Sequence, residues 1–321
     1  MSRLPVIVGF GGVNPAGRSS SHHGYRRMVI DALGSSEQDK TFAALAALMN
    51  RTDSASAEAR KRILDHTLVR RLETNLFDAN SIPLHKRATI KSTSDKAISF
   101  SIKRNHLPDN IPEDWVVEDT GDGTTVSISS ELDLIFNDTR SSRVLAAGQL
   151  PTGFEPEKLY QSRSHPRGLQ LTVFGASDAL NSLGIHWDEV RRRVPPDQIS
   201  VYASSAMGQL DTNGSGGLLQ AGLMGKRVSS KNLPLGLAEM TADFVNAYIL
   251  GNMGTTGANI GACATFLYNL RQGVQDIRSG KSRAVLVGAS EAPLTPDVIE
   301  GYRTMGALAE AEALHTIAGI T

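Results

Sequence analysis

The chain has 321 residues, 40% of them apolar, and its 33 basic and 33 acidic residues cancel to a formal net charge of zero. That length supports one large core or two domains, and the balanced charge argues against a polyanion such as nucleic acid as partner. No apolar run reaches bilayer-spanning length, no signal-peptide pattern opens the chain, and one cysteine excludes an intrachain disulfide, so a cytoplasmic protein is expected.

Residues 6–10 are apolar and β-branched and end in Gly11 and Gly12, which predicts a buried strand leaving through a glycine turn. Gly9 and Gly11 begin a dinucleotide-type glycine spacing. Asn14 stands at its third glycine position, and no strand ending in an acid follows, so the nucleotide reading is set aside. Residues 21–33 predict a helix with Tyr25, Met28, Val29 and Leu33 on one side. His22 and His23 at its start do not share a helix face, and so make a poor metal pair.

Residues 42–49 and 60–72 read as helices, 98–102 as a strand, and 115–118 with 126–128 as a hairpin around a glycine-rich turn. Asp119, Asp122, Asp133 and Asp138 fit turns and solvent faces better than a metal site. Beyond residue 148, Ser164, His165 and Pro166 open a helix striped by Leu169, Val173, Ala176, Leu180 and Leu183, with His165 read as a cap or surface group. Arg191, Arg192 and Arg193 are a solvated charge run. Residues 199–203 form the next strand, a helix begins at Thr241, another strand spans 284–287, and Thr295 with Pro296 starts a last helix. Strands alternating with helices predict an α/β fold with a parallel-rich sheet covered on both faces.

The chemistry concentrates at residues 256–279. A small apolar strand over 256–262 runs into Cys263, and Phe266, Leu270, Val274 and Ile277 then recur at near-helical spacing up to Gly280. Cys263 is therefore expected at a sharp strand-to-helix turn, where unpaired N–H groups and the helix dipole favour a thiolate and can receive an oxyanion. A lone cysteine is also compatible with a buried hydrophobe.

Residues 259–265, with Ala262-Cys263-Ala264-Thr265 at their centre, and residues 280–292 resemble the β-ketoacyl-acyl carrier protein synthases of the thiolase-like superfamily. The likeness extends to the long bacterial type, whose N-terminus is similar to residues 5–12. The resemblance implies a layered α-β-α-β-α core of which the first half is present. Residues 1–34 would start the core, 35–147 would be a large α+β insertion, and 148–321 would carry the nucleophile. It makes residues 6–10 the first core strand, Cys263 the acyl-carrying nucleophile with its own N–H as an oxyanion donor, and Met207 part of the acyl-pocket floor. It implies acyl and malonyl thioester substrates, an acyl carrier protein partner, a homodimer paired through residues 257–262, and neither cofactor nor metal. Because carrier proteins are acidic, Arg163, Arg167, Lys226 and Arg227 become docking candidates.

The sequence departs from the family in one respect. Condensing synthases use two later histidines, and only His315 follows Cys263 here, in a dissimilar context. An N-terminal half, a truncated form or one part of a split enzyme is expected. Two other readings stand beside it: a non-catalytic ketosynthase-like partner or scaffold, and an α/β-hydrolase with cysteine at its nucleophile elbow.

Overall fold

The computed structural model describes residues 4–91, 96–121, 123–162, 164–251, 254–291 and 294–318. Contacts divide the chain into two units, Met1–Phe77 with Arg143–Thr321, and Asp78–Ser142.

The expected first strand is not one. Residues 4–10 form no strand or helix, and Ile7 is 84% exposed. Their anchor is a helix further along the chain: the Phe10 N–H donates to Ser182 Oγ at 2.9 Å and the Gly12 N–H to Asp178 Oδ2 at 3.0 Å. Gly11 accounts for the glycine pattern, since a Cβ there would lie 2.2 Å from the backbone nitrogen of Ala179. A close backbone approach, not a phosphate, requires the glycine.

β1 (Val13–Asn14) and β2 (Gly17–Arg18) form a small antiparallel hairpin. Asp178 fastens the segment after it. This 2%-exposed carboxylate accepts from Arg18 Nε at 2.7 Å and Ser20 Oγ at 2.9 Å. The predicted helix over 21–33 is cut short to α1 (His23–Met28), because Ser21 and His22 take positive φ values of 52° and 59°. The apolar Tyr25 and Met28 are exposed, while Gly24, Arg27 and Ile30 are buried. Arg27 can be buried because Thr67 Oγ1 and the Leu64 carbonyl accept its N–H groups.

α2 (Ser35–Leu48) and α3 (Ala57–Asp65) close around Ile30, Phe42, Leu45, Ala46, Met49 and Ile63. The helix expected to reach residue 72 stops at α3, since Leu68 has a φ of 62°. β3 (Val69–Arg71) follows instead.

The second unit consists of β4 (Ile82–Ile90), β5 (Ile98–Ile102), β6 (Trp115–Asp119), β7 (Thr124–Ile128) and β8 (Leu132–Arg140). β4 and β8 pair antiparallel along their whole length, and β5-β7-β6 form a second sheet. The hairpin of β6 and β7 matches the sequence reading, closing where the Thr120 N–H meets the Gly123 carbonyl. Asp119 pairs with Arg104, Asp133 accepts from Thr89, and Asp138 pairs with Lys86; Asp122 lies outside the described residues. This unit is narrower than the predicted 35–147, because α2, α3, β3 and residues 143–147 belong with the first unit.

β9 (Ala146–Gly148) returns to pair with β3. The remaining elements are α4 (Arg167–Asn181), α5 (Trp187–Arg193), β10 (Ile199–Ser204), α6 (Ser215–Gln220), α7 (Asn232–Gly236), α8 (Met240–Val245), β11 (Thr256–Gly257), α9 (Thr265–Ser279), β12 (Ala284–Ala289), α10 (Pro296–Thr304) and α11 (Ala311–Ala318). The three strands form a parallel sheet in the order β11-β10-β12.

Every residue of β10 is buried, and its two faces differ. Ile199, Val201 and Ala203 pack with Ala176 of α4, Ala242 and Val245 of α8, and Leu250. Ser200, Tyr202 and Ser204 face the other way and hydrogen-bond to Ser282, Asp276 and Asn269. Period-two alternation thus gives the sheet one apolar and one polar face. Among the described residues, no helix is long and apolar enough to cross a membrane.

His165 is neither a cap nor a surface group. Pro166 takes the cap position of α4, and the imidazole is buried, 4.9 Å edge-on to Phe244, with Nδ1 3.1 Å from the Tyr160 hydroxyl. Burial, and then the Lys231 ammonium, hold its pKa below the ordinary histidine value. The unfolded chain therefore takes up this proton before the folded one as pH falls. His165 contributes stability above the ordinary histidine range and loses it on acidification through that range. Urea midpoints should fall between about pH 7.5 and about pH 5.5, with a shallower slope in His165→Phe; an equal slope in both proteins would contradict this placement.

Candidate active site

Only Thr256–Gly257 of the predicted strand over 256–262 pairs with β10, and the chain then runs free of the sheet to Gly261. There it turns sharply. Ala262 takes a φ of 48°, a left-handed conformation that costs a non-glycine residue about 1 kcal/mol or more. One hydroxyl holds the turn: Thr265 Oγ1 accepts the Gly261 N–H at 3.1 Å and donates to the Ala262 carbonyl at 2.7 Å. Gly261 admits no side chain, since a Cβ would come 1.9 Å from the Tyr268 ring.

Cys263 is solvent-exposed on a single 3-10 turn, Ala262–Ala264, immediately before α9. Alanines on both sides leave the sulfur unobstructed. The Ala264 and Thr265 N–H groups are taken by the Gly261 and Ala262 carbonyls, and the positive end of the 15-residue α9 dipole faces this turn. An oxyanion forming on a carbonyl attacked by this sulfur would meet that positive end.

The helix turns an unexpected side to the sheet. Phe266, from the predicted apolar stripe, is exposed, as are Leu267 and Tyr268, while Thr265, Asn269, Gly273 and Asp276 are buried. Asn269, at 0% exposure, is the junction. Its Nδ2 donates to Ser204 Oγ on β10 and to the Gly288 carbonyl on β12, both at 2.9 Å. Its Oδ1 accepts the Asn259 N–H, also at 2.9 Å. Further along, Asp276 accepts the Tyr202 hydroxyl, with Lys281 Nζ 3.4 Å from the carboxylate. Burial, reinforced by that carboxylate, raises the Tyr202 pKa and keeps the phenol a donor.

The loops leaving β10, β11 and β12 all emerge at the carboxyl edge of one parallel sheet, where α/β proteins bind ligands. Met207 lies half-buried on the loop after β10. The Ser205 hydroxyl accepts the Gly208 N–H at 2.7 Å, and the Gly208 carbonyl accepts the Gly168 N–H at 2.9 Å, which ties that loop to α4. A Cβ on Gly168 would stand 2.5 Å from the Gly208 Cα, so glycine permits the contact.

The basic candidates separate. Lys226 and Arg227 are exposed beyond α6. Arg167 is half-buried beside Glu157 and Asp211, with its N–H donating to Asp211 Oδ2 at 2.7 Å. Arg163 lies outside the described residues. His315 is exposed on α11. The sequence reading assigns no role to Asn269 or Ser204, although the helix carries its polar and small residues at positions 265, 269, 273 and 276, spaced as one face.

Residues 158–318 match the family model described as the N-terminal domain of β-ketoacyl synthases. Over 99% of its length the chain is 47% identical to the β-ketoacyl-[acyl-carrier-protein] synthase FabY of Pseudomonas aeruginosa, covering 53% of that relative. The crystal structure of the noncanonical ketosynthase FabY from P. aeruginosa superimposes with a TM-score of 0.94, at 46% identity, over all of this chain and 53% of that one. A 3-oxoacyl-[acyl-carrier-protein] synthase 2 of Staphylococcus aureus is 26% identical over 49% of the chain and 38% of its own length. The chain thus spans about half the length, or less, of these relatives.

Asn269→Leu keeps the volume but strands two acceptors, Ser204 Oγ and the Gly288 carbonyl, and two donors, the N–H and Nδ2 of Asn259. Urea denaturation should show a loss of about 3–4 kcal/mol, against less than about 1 kcal/mol for Phe266→Ser on the exposed side of the same helix. Equal losses would refute the junction role.

Proposed function

The chain belongs to the β-ketoacyl synthase family, and from that premise we propose that it serves a fatty-acid condensing enzyme with Cys263 as the acyl-carrying nucleophile. The observation that carries the reading is an exposed thiol on a strained turn, at the mouth of α9, inside the segment that the family model matches. The thiolate attacks the carbonyl of an acyl thioester, and the N–H of Cys263, at the positive end of the α9 dipole, holds the tetrahedral oxyanion. Collapse of that intermediate breaks the bond to the departing thiol, which leaves as coenzyme A or the carrier's thiol. The acyl group stays on Cys263 as a new thioester. A malonyl thioester then loses carbon dioxide, and the resulting carbanion equivalent attacks the acyl carbonyl, forming the 3-oxoacyl product and freeing the cysteine. No residue of this chain is assigned to decarboxylation.

Met207 would line the acyl pocket, with its long side chain limiting the acyl length. The exposed Lys226 and Arg227 suit an acidic carrier protein, whereas the half-buried Arg167 suits it less. The outer edge of β11 would accept a strand from a second copy. A cysteine hydrolase is less favoured, because it requires a histidine after Cys263 and His315 is exposed on α11.

Incubation with a labelled acyl-coenzyme A, followed by peptide mapping, should place the label on Cys263 and lose it in Cys263→Ser. Label on another residue, or none, would overturn the assignment. Met207→Gly should raise acylation by long over short thioesters by about tenfold; an unaltered preference would remove Met207 from the pocket.

A further inference from the structure

The loop carrying Met207 is held from its far side by a single carboxylate. Beyond β12 the chain continues through Ser290 to Glu291, whose Oε1 accepts the Ala206 N–H at 2.6 Å and whose Oε2 accepts the Met207 N–H at 2.9 Å. The Ser205 hydroxyl, 3.4 Å from the same Oε2, accepts the Gly208 N–H. The N–H groups of Ala206, Met207 and Gly208 therefore converge on Glu291, two directly and one through a hydroxyl. Successive N–H groups arranged this way form a small anion-binding concavity, here filled by a side chain from the segment just past β12, 84 residues further on.

Glu291 is exposed, and Ala206 and Met207 are half-exposed. Water could satisfy these N–H groups if the carboxylate were absent, so folding alone makes little use of it. What water cannot supply is a fixed position for the Met207 backbone relative to β12. We infer that Glu291 is a positioning residue: by clamping the Met207 N–H it fixes that side chain against the acyl group and sets the chain length accepted at Cys263. The inference rests on the acyl-pocket reading of Met207.

In Glu291→Gln one of the two oxygens, each of which accepts its own N–H, becomes an NH2 donor that opposes the N–H it faces. Rates of Cys263 acylation would be compared across saturated acyl-coenzyme A thioesters from acetyl to palmitoyl, in the unaltered chain, Glu291→Gln, Met207→Gly and the double variant. The long-to-short ratio should rise about tenfold in Glu291→Gln, yet change less than about twofold when the substitution is added to Met207→Gly. An unmoved ratio, a uniform fall at every length, or two independent multiplicative shifts would overturn the inference. Hydrogen exchange on the unaltered chain gives a test free of any folding defect. The Ala206 and Met207 amides should exchange about a hundredfold slower than open-loop amides, and exchange at the open-loop rate would overturn the clamp. Absence of acylation by every thioester would overturn the reading beneath it, whereas slow amides with an unmoved ratio would overturn the positioning role alone.

Discussion

One buried amide determines where the sulfur stands. Asn269 donates to β10 and β12 and accepts from the loop that delivers Cys263, so three separate segments meet on the helix that the cysteine opens. Apolar packing is non-directional and tolerates a helix that slides or rotates. Hydrogen bonds with fixed geometry do not. Because the sheet-facing side of α9 is Thr265, Asn269, Gly273 and Asp276, its rotation and height are set by direction as well as by area. The mouth of the helix, and the thiol above it, inherit that precision.

The same logic explains how a strained turn persists. Ala262 in the left-handed region costs about 1–3 kcal/mol, and the two hydrogen bonds through Thr265 return about 1 kcal/mol each. Glycine at 261 removes the clash that any other residue would make with Tyr268. Small residues at 262 and 264 are then needed for access to the thiol, not for the fold. Each position around Cys263 thus answers a different physical demand, and the demands are local enough to be written in five consecutive residues.

That locality is why this part was legible in the sequence. The turn before α9, the strand ending at Ser204, the stripe of α4 and the hairpin around Gly121 follow from short-range periodicity and turn chemistry. What escaped depends on tertiary context. Residues 4–10 read as a core strand because they are apolar, yet a strand also needs an edge to pair with, and the Phe10 and Gly12 N–H groups bond to α4 instead. The apolar stripe of α9 was visible, but which stripe faces the sheet depends on the polar face of β10, where Ser200, Tyr202 and Ser204 alternate with apolar residues. His165 looked like a capping residue because Pro166 follows it, and the rings that enclose it come from Tyr160, Phe244 and Tyr248. The narrower second unit escaped because β4 and β8 pair across more than forty residues of chain.

Sheet order completes the argument. The strand that comes first in sequence, β10, lies in the centre, so both later strands flank it and its exit loop is reached from two sides. From the β11 side, Ser204 Oγ donates to the Asn259 carbonyl at 2.9 Å, joining that loop to the segment leading to Cys263. From the β12 side, the Ser290 N–H meets the Ser204 carbonyl and Glu291 takes the next N–H groups. A strand order following the sequence would give the β10 loop only one neighbour and leave Met207 free on its other side. The central position of β10 therefore lets the Cys263 thiol from one loop and the Met207 side chain from another be held against the same sheet edge.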